Sequence, residues 1–142
     1  MAVLVQGQPL VPGCANGKVL ISERPISFWG GVDPKTGEII DQRHDRCGEM
    51  VVGRVCIFPA EKGSSTASAV LLELIRIGRA PAAIITLETV PILMLGAMIA
   101  QQLYNVTVPV LRITKGDLTE MQDGQHMRIS MNGTIRCSRL EG

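Results

Sequence analysis

The sequence predicts an α/β fold: a strand-rich barrel or sandwich with two strand–helix units inserted in its middle. Three observations carry this. Short apolar runs bounded by Gly, Pro, Asn and Asp recur along a chain with fifteen Gly and eight Pro in 142 residues, the punctuation of short strands and tight turns. Two central apolar runs, ending near Phe58 and Leu87, are each followed by a segment of helical period. The chain is 46% hydrophobic but only 3% aromatic, so Val, Ile, Leu, Met and Ala must fill the core. This length suffices for one ordinary core. No repeat or low-complexity segment divides it, and one domain over residues 1–142 is expected.

In chain order, Ala2–Val5 reads as a strand, Gly7–Gly17 as a turn-rich loop and Lys18–Ser22 as a second strand. The loop from Pro25 to Gly37 holds the only Trp, one of two Phe and a Gly-Gly pair. Phe28, Trp29, Gly30 and Gly31 either plug the end of a barrel or form a loop that lines a site or docks a partner. Exposed aromatics carry disproportionate energy at interfaces. Asp41–Cys47 is a charged surface segment, placed near a pocket mouth if the next strand, Met50–Phe58, ends at a site.

The segment from Pro59 to Ser68 is the centre of the functional reading. A strand enters it and an apolar helix, Ala69–Ile77, leaves it. The turn sets Gly63, Ser64, Ser65 and Thr66 at a helix N-terminus, where backbone N–H groups lack partners and the dipole is positive. Such a place binds carboxylate or phosphate and suits a serine that must carry negative charge briefly. The plainer reading is an N-cap, but a cap needs one hydroxyl and three stand here in a row. Lys62 either stabilises an anion or is simply solvated.

Gly78 and Pro81 end that helix. Ala82–Leu87 is a short buried strand. Thr89 can cap a second helix with Pro91 in its first turn, running to about Tyr104. Gly96, Ala97 and Ala100 keep one side of that helix small. Thr107–Ile113 is a further strand, expected near an edge because of Pro109. The last elements, His126–Met131 and Thr134–Cys137, form a hairpin. A two-residue Asn132-Gly133 turn would set Ile129 opposite Arg136. A three-residue loop with Gly133 left-handed sets Ile129 opposite Ile135 and Met127 opposite Cys137, which keeps apolar side chains on one face and is preferred.

Formal net charge is +1. With no basic run and few aromatics, nucleic acid is not expected as a partner. No apolar run is long enough for a membrane helix, and no secretory signal pattern opens the chain, so a cytoplasmic location is expected. Cys14, Cys47, Cys56 and Cys137 form no Cys-x-x-Cys pair, so no zinc or iron–sulfur site held by this chain alone is expected. Cys56 and Cys137 read as small core residues. His44 and His126 have no ligand-like neighbours and read as non-catalytic.

Together, Pro25-Ile26-Ser27-Phe28-Trp29-Gly30-Gly31-Val32-Asp33-Pro34, Gly63-Ser64-Ser65 and Gly78-Arg79-Ala80-Pro81-Ala82-Ala83-Ile84 resemble the small subunit of aconitase X. That is the swivelling β/β/α domain related to the mobile domain of aconitase-type hydro-lyases. The resemblance covers nearly the whole chain. It implies a two-chain enzyme. A large aconitase X subunit supplies an iron–sulfur cluster and most of the pocket for a small hydroxy-acid substrate. This chain supplies Ser64 as the base. Ser65 and Thr66 would hydrogen-bond the substrate, with Gly63 and Lys62 beside them. The resemblance implies dehydration of cis-3-hydroxy-L-proline, or alternatively of mevalonate 5-phosphate. Aconitases carry an Arg after the Ser pair; Thr66 stands there here, so the substrate carboxylate must be met by another Arg or by hydroxyls and backbone N–H groups. Two readings of other classes compete: a phosphocarrier-like swivelling domain, which would need a phospho-accepting His such as His44, and a non-catalytic binding module that docks through Phe28 and Trp29.

Overall fold

A computed structural model describes residues 3–138. Its eight strands are β1 (Val3–Gln6), β2 (Gln8–Val11), β3 (Ala15–Ile21), β4 (Val55–Phe58), β5 (Ala83–Thr86), β6 (Val110–Arg112), β7 (His126–Ile129) and β8 (Thr134–Cys137). The helical segments are α1 (Phe28–Gly31), α2 (Ala67–Arg76), α3 (Pro91–Tyr104) and α4 (Lys115–Leu118). The strands form one sheet in the order β1-β8-β7-β3-β4-β5-β6-β2. β1 and β2 stand at its two ends yet are joined by Gly7 alone. The edges must therefore come together, and the sheet is a nearly closed barrel.

One half is antiparallel, β1-β8-β7-β3, and the other carries the parallel run β3-β4-β5-β6. β3 serves both halves: Ala15–Lys18 pairs with β7 and Val19–Ile21 with β4. Alternation along the parallel strands separates two cores. Val55, Ile57, Ala83, Ile85 and Leu111 face the barrel interior with Met127, Ile129 and Ile135. Cys56, Phe58, Ile84 and Val110 face outward under α2 and α3. These helices are the crossovers β4-α2-β5 and β5-α3-β6, each returning over the same face. They pack closely because Gly96 of α3 lies against the Ser68 backbone.

The terminal hairpin takes the three-residue register: Ile129 faces Ile135, Met127 faces Cys137, and Gly133 is left-handed at φ +89°. α2 and α3 lie where the periodicity puts them, although α2 starts at Ala67 rather than Ala69. Cys56 and Cys137 are buried. Burial pushes the Cys56 thiol up to about 12 and raises that of Cys137, so neither supplies a thiolate near neutral pH.

Other expectations are corrected. The Gly7–Gly17 loop contains β2 and the start of β3. Pro9 hid β2, yet β2 is the outermost strand of the sheet, and Pro9 in it pairs with Leu111 of β6 beside a register shift. The strand expected from Met50 begins only at Val55, after a turn at Val52–Gly53. β6, by contrast, is the last strand but one of the sheet, between β5 and β2, and so lies near an edge as expected. Pro109 precedes its first paired residue, and its carbonyl accepts the Ile84 N–H at 3.0 Å. The short α4, capped reciprocally by Thr114 and Asp117, was not anticipated. Ala2 of the expected first strand lies outside the described residues. No helix among the described residues is long and apolar enough to cross a membrane.

Candidate functional site

The loop from Pro59 to Thr66 leaves β4 at the C-terminal edge of the parallel run, the edge where open α/β sheets bind ligands. Its first half is tied down. The Ile26 N–H donates to the Ala60 carbonyl at 3.2 Å and the Lys62 N–H donates to the Ile26 carbonyl at 3.0 Å, forming a parallel bridge between Ile26 and Glu61. Ile26 leads directly into Ser27-Phe28-Trp29-Gly30-Gly31, and α1 packs against α2. The structure thus brings together two segments that lie more than thirty positions apart in the sequence.

The second half is open. The Ala67, Ser68 and Ala69 N–H groups bond back to the carbonyls of Ser64, Ser65 and Thr66. That leaves the N–H groups of Gly63, Ser64, Ser65 and Thr66 with no acceptor among the described residues. None of the three hydroxyls bonds to another described residue, and Thr66 at the N-cap makes no side-chain cap. Ser64 is half-buried; Gly63, Ser65, Thr66 and Lys62 are exposed. Lys62 has no ion-pair partner among the described residues. Unpartnered N–H groups at a helix tip favour an anion there. The cap reading therefore gives way: the Ser-Ser-Thr run leaves its hydroxyls free.

The aromatic loop divides. Phe28 is 1% exposed and its ring lies 6.3 Å from that of Phe58. It is a core residue, not part of a docking surface, because the loop turns it onto the end of β4. Gly31 is also buried. Trp29 is 58% exposed, and Gly30 beside it is open to solvent. Only these two present a surface to a partner or pocket.

His44 is buried. Its Nδ1 accepts the Arg46 N–H at 3.0 Å and its Nε2 faces the Arg24 carbonyl at 3.3 Å. Both ring nitrogens are occupied, which leaves none to accept a phosphoryl group. Its neighbour Asp45 accepts the N–H groups of Glu23 and Arg24. Burial pushes the Asp45 carboxyl up, but those bonds and His44 outweigh it and hold the carboxyl below its usual value. The charged 41–47 segment therefore braces the chain after β3.

Sequence reasoning missed Glu61. Its carboxylate accepts the N–H groups of Ile92 and Leu93, both at 3.0 Å, and so caps α3. Thr89 does not: the N-cap is Val90, which has no side-chain acceptor. A cleft of about 660 Å³ also opens at this edge, lined by Pro59, Leu87, Glu88, Arg112 and Lys115 among others. Its lining stops at Pro59 and does not reach Ser64. The α2 tip, with its free donors and hydroxyls, is the better chemical candidate.

The site is thus an open Gly-Ser-Ser tip at the C-terminal edge of the parallel strands of an α/β barrel whose two crossover helices cover one face. The family model for the aconitase X swivel domain matches residues 4–137. The chain belongs to the aconitase X family. It is 38% identical to the phosphomevalonate dehydratase small subunit of Methanosarcina acetivorans over 142 residues, covering 99% of this chain and 94% of that one. It is 46% identical over 109 residues to the cis-3-hydroxy-L-proline dehydratase of Pseudomonas aeruginosa, covering 77% of this chain but only 19% of that much longer one. The crystal structure of Thermococcus kodakaraensis aconitase X in its holo-form superposes with a TM-score of 0.85 at 32% identity, over 96% of this chain and 99% of that one.

Proposed function

We propose that this chain acts as one swivelling domain, the small subunit of a hydro-lyase that dehydrates a β-hydroxy carboxylate, with Ser64 as the base. The observation that carries this is the free, half-buried Ser64 hydroxyl beside four unpartnered N–H groups at the α2 tip. The reaction removes a proton from the carbon beside the carboxylate. That C–H electron pair becomes the new double bond, and hydroxide leaves the next carbon. Ser64 Oγ, as an alkoxide, takes the proton. A serine is too weak an acid to hold that charge in water; donors fixed at the helix tip and a closed, dry site make it tenable. Ser65, Thr66 and the free N–H groups bind the substrate carboxylate, the task of the Arg absent after Ser65.

Among the described residues no cluster of His, Cys, Asp or Glu could hold a metal. The resemblance implies an iron–sulfur cluster. We place it in a larger partner subunit and derive no step through it. Iron-free, colourless protein is the expected result when this chain is purified alone; stoichiometric iron measured in it would contradict that placement.

Cis-3-hydroxy-L-proline is the proposed substrate, supported by the 46% identity to an enzyme named for it. Mevalonate 5-phosphate is the second reading, supported by the nearly end-to-end match to a separate small subunit named for that reaction. The test is co-purification with the large subunit, then dehydration assays on both compounds side by side. Turnover of neither would overturn the hydro-lyase reading.

Trp29 is assigned to the contact with the large subunit. Trp29→Ala is expected to leave the thermal midpoint of this chain unchanged and to weaken assembly roughly 30-fold, the effect of losing about 2 kcal/mol at an aromatic hot spot. A titration of the large subunit with each variant measures it; unchanged affinity removes Trp29 from the interface.

A further inference from the structure

We propose that Glu61 is a positioning residue for the dehydration: its carboxylate locks the loop carrying Ser64 to the N-terminus of α3. The proposal rests on the dehydratase reading above. Pro59–Thr66 contains no helix and, apart from the single bridge at Glu61, no strand pairing. Its backbone is tied through Ala60 and Lys62 to Ile26. Among the described residues, Glu61 is the one side chain in this stretch that hydrogen-bonds to the rest of the fold.

The site it fills has a particular need. A helix usually satisfies its second and third N–H groups with the side chain at its own N-cap. In α3 the N-cap is Val90, which cannot accept, and the first helical residue is Pro91, which has no N–H. Ile92 and Leu93 are left as donors, and Glu61 takes one with each oxygen, from 31 and 32 positions earlier in the chain. A carboxylate at the positive helix end is favoured by the dipole as well.

Two consequences follow for Ser64, three residues beyond Glu61. The loop is held on two sides, by Ile26 through its backbone and by α3 through Glu61. Of the two helix tips at this edge, that of α3 is already occupied by a negative charge while that of α2 is open. A substrate anion is therefore directed to the tip that bears Ser64.

The test has two arms. In the assembled enzyme, Glu61→Ala is expected to lower kcat about 100-fold with KM little changed, the scale of effect for a displacement of about 1 Å at a reacting group. Glu61→Gln keeps one acceptor and is expected to recover most of that loss. In the full-length chain alone, amide hydrogen exchange is followed at Lys62 and Ala67, whose N–H groups anchor the loop backbone. Both are expected to exchange faster in Glu61→Ala and near normally in Glu61→Gln. If only Ile92 and Leu93 exchange faster, or if kcat is unchanged, Glu61 is a helix cap and nothing more, and the proposal is overturned. The exchange arm needs no turnover. An inactive wild-type pair would end the dehydratase reading, while Lys62 and Ala67 would still decide whether Glu61 fixes the loop.

Discussion

Ser64→Ala is expected to leave the chain folded and able to assemble, and to lower kcat by about 10²- to 10⁴-fold, the usual worth of a positioned general base. The stability half of this rests on what the hydroxyl does not do. Ser64 Oγ has no hydrogen-bond partner among the described residues, so its removal orphans no buried group, and a change within about 0.5 kcal/mol is expected. Ser68, four residues on, is the contrast: its Oγ donates to the Ile92 carbonyl at 2.8 Å and is committed to packing α2 on α3. The activity half rests on the free donors. The N–H groups of Gly63 to Thr66 can stabilise charge on an oxygen at position 64 whether it belongs to Ser64 or to bound substrate. KM should therefore change less than kcat, because an alanine leaves those donors in place for the carboxylate. Single-turnover and steady-state assays of the assembled pair, with thermal melts of each variant, measure both halves. Near-normal kcat would remove Ser64 from the chemistry. A loss that appears in Ser65→Ala instead would assign the proton transfer to the neighbouring hydroxyl.

The parts of this molecule governed by local periodicity could be read from the sequence. The hairpin register followed from the two-residue alternation of Met127, Ile129, Ile135 and Cys137 together with a glycine free to be left-handed at Gly133. The helices followed from their apolar spacing, and the Ser loop from its position between a strand and a helix. What escaped was set by partners distant in sequence. β2 carries a Pro that reads as a loop residue, and only the bulged pairing with β6 makes it a strand. Phe28 and Trp29 are adjacent and chemically alike, yet one is core and the other surface. Their separation depends on a backbone kink at Trp29–Gly30 that composition does not encode. Glu61 left only a negative trace: the Val90–Pro91 start of α3 has no competent cap of its own.

The α2–α3 contact determines the second large effect. Gly96→Ala is expected to destabilise the chain by about 1–3 kcal/mol and to reduce turnover with it. Intrinsic preference argues the other way, since Ala in place of Gly in a helix interior gains about 1 kcal/mol. Steric contact decides the sign. A Cβ at Gly96 would lie 2.8 Å from the Ser68 carbonyl oxygen and 3.3 Å from the Ser68 Cα. Both are backbone atoms in the first turn of a helix, so neither can rotate aside. Relief requires the first turn of α2 to move off α3 by roughly half an ångström or more, since ordinary contact starts near 3.4 Å. That motion lengthens the Ser68–Ile92 hydrogen bond and carries Ser64, at the head of the same turn, away from the tip geometry. Stability and catalysis should therefore fall together, unlike in Ser64→Ala, where only catalysis falls. Thermal melts and kcat of Gly96→Ala, with the exposed Met98→Ala on the same helix as a stability control, distinguish the two patterns. A Gly96→Ala chain as stable as the wild type would show that the α2 turn is free to shift, and that the approach of α3 does not hold Ser64 in place.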